Sequence, residues 1–299
     1  MKTRLIYLAV LLITGCGVAS SFNDAEAQDR SDSIQVAAWN MEHLAADAGA
    51  GCEPRDEAGY RLVADIVDQV DADVWLVQEV ENEQALARVF DPESWTFHVE
   101  ERPSTGNGPV CRGRDDGNRL LMQRTAIVVR DGINHTRGAD LAALDVGQRG
   151  FLRHGVNVAI EHNGLTLQLM SVHMKSGCFS GDQSDDCPTL FEQVPILEAW
   201  ADEQSRAGHA VLIGGDFNRR LEQAGDRVWN DINDGDPVNW TVAGEGIGPQ
   251  CDPRYRAFID FLVMNEAAAA LAVEGTFTET TFEEGRRASD HCPISVTLQ

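Results

Sequence analysis

Asn40 and Glu42, Asp216 and Asn218, and Asp290 and His291 sit in three short segments that lie far apart in the chain. The segments are Trp39-Asn40-Met41-Glu42, Gly215-Asp216-Phe217-Asn218 and Ser289-Asp290-His291-Cys292-Pro293. Each adjoins an apolar run of strand length. Carboxylates, amides and an imidazole at the tips of separate strands, once brought together, line an acidic hollow. Such a hollow suits a hard divalent cation, which prefers oxygen ligands, and a phosphate held by that cation. Other polar residues recur at comparable places: Gln78 and Glu79, His173 and Lys175, and Asp260 inside the otherwise apolar Phe258-Ile259-Asp260-Phe261-Leu262.

The elements that must position these groups are visible as hydrophobic pattern. Residues 34–39, 74–77, 126–129, 165–172, 210–213, 258–264 and 294–298 are short, rich in Val, Ile and Leu, and read as strands. Residues 60–70 place Leu62, Val63, Ile66, Val67 and Val70 at helical spacing, and 188–205 do the same with Leu190, Phe191, Val194, Leu197 and Trp200. Residues 83–90 form a weaker helical pattern. Strict strand–helix alternation is absent, so a doubly wound sheet is not expected. The polar stretches 100–119 and 225–254 read as long loops, which in a compact domain are usually functional or mobile. One domain is expected over 34–299, with two sheets packed through their apolar faces.

The first 16 residues read as an export signal. Lys2 and Arg4 precede an apolar run too short to span a bilayer, and Ile13-Thr14-Gly15-Cys16 is similar to the lipobox of bacterial lipoproteins. That resemblance implies cleavage before Cys16 and acylation of its thiol; the alternative is an ordinary signal cut after Ala25-Glu26-Ala27. Residues 17–33 are small and polar and read as a flexible tether. Six cysteines then remain, an even number in an exported chain, and they point to disulfides. Cys178 and Cys187 close a short polar loop and are the expected pair. No Cys-x-x-Cys or Cys/His cluster has zinc spacing.

The net charge is −24, and −26 once Lys2 and Arg4 are removed. Nucleic-acid binding normally leans on Lys and Arg, so this acidity argues against an extended electrostatic footprint. A bound cation can invert the field of an acidic pocket locally. Lys175 is the only lysine beyond the leader, against a background of arginine. Two residues after His173, it would share that side chain's face on a continuing strand. The aromatic content is 7% and the Trp residues are scattered, so no single-strand platform is legible.

The order Trp-Asn-x-Glu, Gln-Glu, x-His, Gly-Asp-Phe-Asn, Ile-Asp, Ser-Asp-His-x-Pro resembles the endonuclease/exonuclease/phosphatase superfamily across nearly all of 34–299. The resemblance implies an α/β (α+β) fold of the DNase I type: a four-layered sandwich of two mixed β-sheets flanked by helices, with the site at one edge. It implies Glu79 as chief metal ligand with Glu42 beside it, Asp290 supporting a metal, and Mg²⁺ or Mn²⁺ as the ion, with Ca²⁺ the further hard cation. Asn40 and Asn218 would hold phosphate oxygens or orient the nucleophile. Either Asp216 or His291 would be the base, with Asp260 fixing the imidazole of His291. His173 would stabilise the transition state or protonate the leaving group, Lys175 would add charge, and Arg153 corresponds to a phosphate-contacting arginine in a segment that departs from the family pattern. His43, His98, His135, His154, His162 and His209 read as surface or loop residues.

These expectations converge on an exported, monomeric phosphodiester hydrolase. Its expected substrate is DNA or RNA, cut without strong sequence preference, and its only membrane contact an anchor at Cys16. The competing readings are a sphingomyelinase-like lipid phosphodiesterase, a phosphomonoesterase, and a non-catalytic binding protein on the same scaffold.

Overall fold

The apolar run that begins at Ile34 continues through the polar residues that follow it, so that β1 spans Ile34–Leu44. Its side chains alternate between two cores, as the period of a strand requires. Val36 and Ala38 join the core shared with the second sheet, whereas Ala37, Trp39 and Met41 join a separate cluster with Tyr60, Val63 and Val67. The structure, a computed structural model, describes residues 33–299 except positions 107, 149 and 284. The expected leader, Cys16 and the tether up to residue 32 lie outside the described residues.

After β1 come α1 (Glu57–Val70), β2 (Val74–Val80), α2 (Glu83–Leu86), β3 (Trp95–Val99), β4 (Arg124–Arg130) and β5 (His135–Arg137). Then follow β6 (Val156–His162), β7 (Leu165–His173), α3 (Cys187–Arg206), β8 (Ala210–Asp216), α4 (Arg227–Ile232) and β9 (Trp240–Val242). The chain closes with β10 (Asp260–Asn265), α5 (Glu266–Leu271), β11 (Thr278–Glu279) and β12 (Ile294–Leu298). Two six-stranded sheets result, in the orders β11-β12-β1-β2-β4-β3 and β5-β6-β7-β8-β10-β9. Each is antiparallel except for one internal parallel pair, β1 with β2 and β7 with β8. The sheets pack face to face, with α1 outside the first and α3 outside the second, which is the expected sandwich.

Local chemistry sets the helix limits. The Asp56 carboxylate accepts from Gly59 N, capping α1, and Asp71 ends it in the left-handed conformation. Pro188 stands in the first turn of α3, where its missing N–H costs nothing. The loop expected over 225–254 holds α4 and β9, because Asp226 caps the first and β9 pairs with β10. Three disulfides join Cys52 to Cys111, Cys178 to Cys187 and Cys251 to Cys292. Among the described residues no helix is long and apolar enough to cross a membrane.

Candidate active site

The two parallel pairs end at one edge of the sandwich, and their ends carry the polar residues. Asn40 lies beside Gln78 where β1 meets β2, and His173 lies beside Asp216 where β7 meets β8. β10 places Asp260 opposite Asp216. Gln78 Nε2 donates to Ser171 Oγ at 3.0 Å and that hydroxyl donates to Val77 O at 3.1 Å, tying the sheets together just beneath this edge. Gly214 and Gly215 allow the close approach: a Cβ at 214 would run into Leu76 Cδ1, and one at 215 into Val172 O. Gly215 also has φ +135°, a region that side chains rarely adopt.

The segment before β12 is fastened onto β1. Trp39 Nε1 donates to His291 O at 2.8 Å, Ser289 Oγ donates to Asn40 O at 2.7 Å, and His291 N donates to Ser289 Oγ at 3.1 Å. The Ser of Ser-Asp-His is therefore a fastening, and His291 is the group it delivers. Backbone conformation marks the same edge. Glu42, His43, Glu79 and Asn218 have φ values of 45°, 57°, 60° and 53°. Non-glycine residues held in this region are strained, and such strain clusters at functional sites.

At this edge lies a cavity of about 540 Å³ lined by Asn40, Glu79, His173, Asp216, Asp260 and His291, together with Asn218, Asp290 and Arg153. Asp216 is held from two sides: Asn40 Nδ2 donates to its Oδ2 at 3.1 Å and Asn218 N donates to its Oδ1 at 2.8 Å. The hydrogen bond between His291 Nδ1 and Asp260 Oδ2 is 2.7 Å long. His291 Nε2 then faces Asp216 Oδ2 at 3.9 Å and Asp290 Oδ1 at 3.8 Å. His173 Nε2 lies 3.5 Å from Asp216 Oδ2 and 3.9 Å from Glu79 Oε1.

The electrostatics divide these groups by role. Burial, then the neighbouring Asp260 charge, pushes the Asp216 carboxyl up from 3.8 to about 7, against the pull of His291 and its two hydrogen bonds. Burial by itself would lower the His291 imidazole, but the charge and hydrogen bond of Asp260, then Asp216 and Asp290, carry it well above 6.5. His173 moves the opposite way, lowered well below 6.5 by burial and by the positive charges of Arg153 and His291. It is a neutral imidazole at pH 7. With Nε2 facing two carboxylates, the proton belongs on that nitrogen.

Two expected site residues stand elsewhere. β7 stops at His173, so the strand alternation that would align Lys175 with it does not continue. Lys175 Nζ instead pairs with Asp186 Oδ1 at 2.6 Å and does not line the cavity. Glu42 also lies outside the lining, its Oε1 bound by Arg287 Nη2 at 2.7 Å. Burial and the charge of Asp290, opposed by Arg287, raise the Glu42 carboxyl to about 7. His43, expected on the surface, belongs to the cavity wall: its backbone N donates to Glu79 Oε2 at 3.2 Å, and its Nε2 is 3.5 Å from the same oxygen. Gln123 joins it, accepting from Arg153 Nη2 at 2.9 Å. The adjacency of His43 to Asn-x-Glu is the one sequence signal for it; Gln123 has none. Of the other histidines, His98 and His135 pair Nε2 to Nε2 at 2.8 Å across the two sheets' edge strands, and His162 is buried.

The donor set fits a hard divalent cation. Glu79 and Asp290 present carboxylates to the cavity beside the Asn40 amide, and no cysteine thiol is free there, since Cys251 and Cys292 are bonded to each other. Oxygens of Asp216 and Asp260 and a nitrogen of His291 lie within 4.8 Å of one another, a spacing that could also hold a cation. There, however, His291 Nδ1 is already engaged by Asp260 at 2.7 Å, which favours proton handling at that cluster and metal at Glu79.

Comparison with known proteins bears on the family and the fold. Residues 37–291 match the description "Endonuclease/Exonuclease/phosphatase family". No curated protein matches the sequence. Among solved structures, a D. rerio TDP2 humanised by 14 mutations superposes with a TM-score of 0.60 at 16% identity, covering 90% of this chain and 100% of the other. An endonuclease/exonuclease/phosphatase from Bacteroides vulgatus gives 0.59 at 13% identity, covering 89% and 98%. The human Nocturnin catalytic domain with a bound sulfate anion gives 0.55 at 15% identity, covering 90% and 94%. At such identities the likeness concerns the fold.

Proposed function

This chain belongs to the endonuclease/exonuclease/phosphatase family and is by that membership a metal-dependent phosphoric ester hydrolase; we propose that it is an exported endonuclease cleaving DNA or RNA without strong sequence preference. The observation that carries the reading is one cavity holding a buried carboxylate raised to about 7, a carboxylate-backed imidazole and a neutral second imidazole. Phosphodiester hydrolysis draws on a proton acceptor for the attacking water and on donors aimed at the phosphoryl oxygens, and this cavity supplies both kinds.

Asp216, poised near neutral pH, accepts the proton of the attacking water, and Asn40 and the Asn218 backbone fix its orientation. His291, kept cationic by Asp260, donates its Nε2 proton into a hydrogen bond with a non-bridging phosphoryl oxygen. Neutral His173, whose Nε2 lies 3.5 Å from Asp216 Oδ2, offers its proton to a phosphoryl oxygen on the Asp216 side of the cavity, where charge gathers in the transition state. Arg153, steadied by Gln123, adds a fixed positive charge against the phosphate. A divalent cation, Mg²⁺ or Mn²⁺ by the hardness of the oxygens, would be held by Glu79 with Asp290 and would neutralise phosphate charge.

Export is supported by the leader pattern and by three disulfides, which persist in oxidising compartments. Acylation at Cys16 would anchor the domain to a membrane on the exported side. The test is a panel of plasmid DNA, RNA, sphingomyelin and a phosphomonoester, each with Mg²⁺, with Mn²⁺ and with EDTA. Metal-dependent nucleic-acid turnover is expected to dominate; lipid or monoester turnover exceeding it overturns the assignment.

A further inference from the structure

Among the described residues six large apolar side chains are exposed, and two of them, Phe179 at 41% and Tyr255 at 55%, line the active-site cavity. Their exposure does not come from loose chain. Phe179 follows Cys178, which is bonded to Cys187. Its carbonyl accepts from Arg220 N at 3.0 Å. Arg219 Nη1 donates to Cys178 O at 2.9 Å and to Gly181 O at 2.7 Å, and Arg219 is itself buried against Asp226 at 2.6 Å. The ring is thus held on a backbone pinned to the segment that carries Asn218. Tyr255 follows Cys251, whose disulfide partner Cys292 adjoins His291. Its backbone N donates to Asp252 O at 3.0 Å, and Arg254 packs over its ring at 5.7 Å.

We infer that Phe179 and Tyr255 form a base-stacking subsite, and that the preferred substrate is therefore an unpaired strand whose bases flank the scissile phosphate. The inference rests on the nucleic-acid reading above and specifies it. Aromatic rings fixed beside a phosphate site present flat apolar faces to whatever the phosphate connects, and every nucleobase has a matching face. Arg220 lines the same cavity, is exposed, and has no ion-pair partner among the described residues, so it is available to a neighbouring phosphate. The cavity, about 540 Å³, lies within the roughly 300–1,000 Å³ typical of sites that enclose a small ligand.

Charge points the same way. Duplex binding draws its affinity from many Lys and Arg contacts along the backbone, and a chain of net charge −24 is poorly equipped for that. Stacking does not depend on net charge. A base in a duplex must first be unstacked and unpaired to reach the rings, a cost that an unpaired strand avoids.

The test uses the full chain with Mn²⁺ and two probes: a single-stranded thymidine 12-mer, and the same strand with tetrahydrofuran abasic nucleotides on both sides of one phosphate. Wild type is expected to cleave at the base-flanked phosphate at least about tenfold more efficiently than at the abasic one, and duplex DNA more slowly than the single strand. Phe179→Ala and Tyr255→Ala should each raise KM on the thymidine strand about tenfold, leave cleavage at the abasic position unchanged, and leave the melting temperature unchanged. Phe179→Trp should restore the wild-type KM. Equal cleavage of both strands by wild type, or equal losses on both in the variants, overturns the subsite and leaves the hydrolase standing. Failure of wild type to cut any nucleic acid while it hydrolyses another phosphoester removes the nucleic-acid reading and this inference together.

Discussion

Replacing Asp216 by Asn should exchange catalysis for stability, and the size of the exchange follows from where the carboxylate sits. Asp216 is 2% exposed, and burial with Asp260 beside it raises its pKa from 3.8 to about 7. A carboxyl group raised in the folded state stabilises that state fully below its unfolded pKa and loses the contribution as pH rises through the folded one. At 1.36 kcal/mol per pH unit, the loss for wild type between pH 3.8 and about 7 approaches about 4 kcal/mol. An amide cannot ionise and escapes it. The introduced side chain keeps the hydrogen bond from Asn218 N, but its NH₂ faces that of Asn40 and leaves a buried donor unpaired, which costs about 2 kcal/mol at either pH. The variant should therefore be about 2 kcal/mol more stable than wild type at pH 8 and about 1 kcal/mol less stable at pH 4.5. Urea unfolding of the metal-free proteins at the two pH values reads this directly, and the pH 8 difference corresponds to a melting temperature higher by about 4–8 °C. Turnover should fall at least about 10³-fold. A stability difference of the same sign and size at both pH values would refute the claim that burial and Asp260 raise the Asp216 carboxyl to about 7.

Other perturbations separate the remaining roles. Asp260→Asn leaves His291 without its carboxylate at 2.7 Å, so kcat should drop about 10²- to 10⁴-fold with KM nearly constant. The alkaline limb of its pH–rate profile, set by loss of the His291 proton, should move to lower pH. Glu79→Gln should raise the half-saturating Mg²⁺ concentration at least about tenfold, measured by activation curves and by Mn²⁺ binding in electron paramagnetic resonance. Lys175→Ala should leave kcat within about twofold, since its ammonium is spent on Asp186 at 2.6 Å and an exposed pair of that kind contributes little. The double change Cys178→Ser with Cys187→Ser opens a bridge spanning nine positions, and should lower unfolding free energy by about 3 kcal/mol in denaturant titrations.

The sheets are legible wherever a strand is buried on both faces. β12 reads off the sequence at its observed limits, and β2, β7 and β8 nearly so, because parallel and central strands are continuous apolar runs. β6 is harder to see: Asn157, Ala159 and Glu161 interrupt its apolar side chains, and the pattern shows only every second residue facing the core. β3, β5, β9 and β11 lie toward the sheet edges and are short, so pairing with a neighbour defines them more than composition does. In the site, Asp216, Asn218, Asp260 and His291 stand out because polar groups inside or beside strong strands are unusual. Lys175 misleads because strand alternation does not survive past the end of β7. His43 is hidden because a left-handed backbone turns it toward Glu79, and Phe179 and Tyr255 because disulfides far apart in sequence bring their loops to one cavity. Those placements belong to tertiary structure, which no local period encodes.

Catalysis stands on Glu79 gathering a hard cation within reach of the Asp216–His291–Asp260 cluster. Anomalous diffraction from crystals soaked in manganese should place a peak against a Glu79 carboxylate oxygen inside the cavity, on the side that Asp290 and Asn40 face. Well-ordered density for an ion-free Glu79, with manganese bound only outside that cavity, would contradict this.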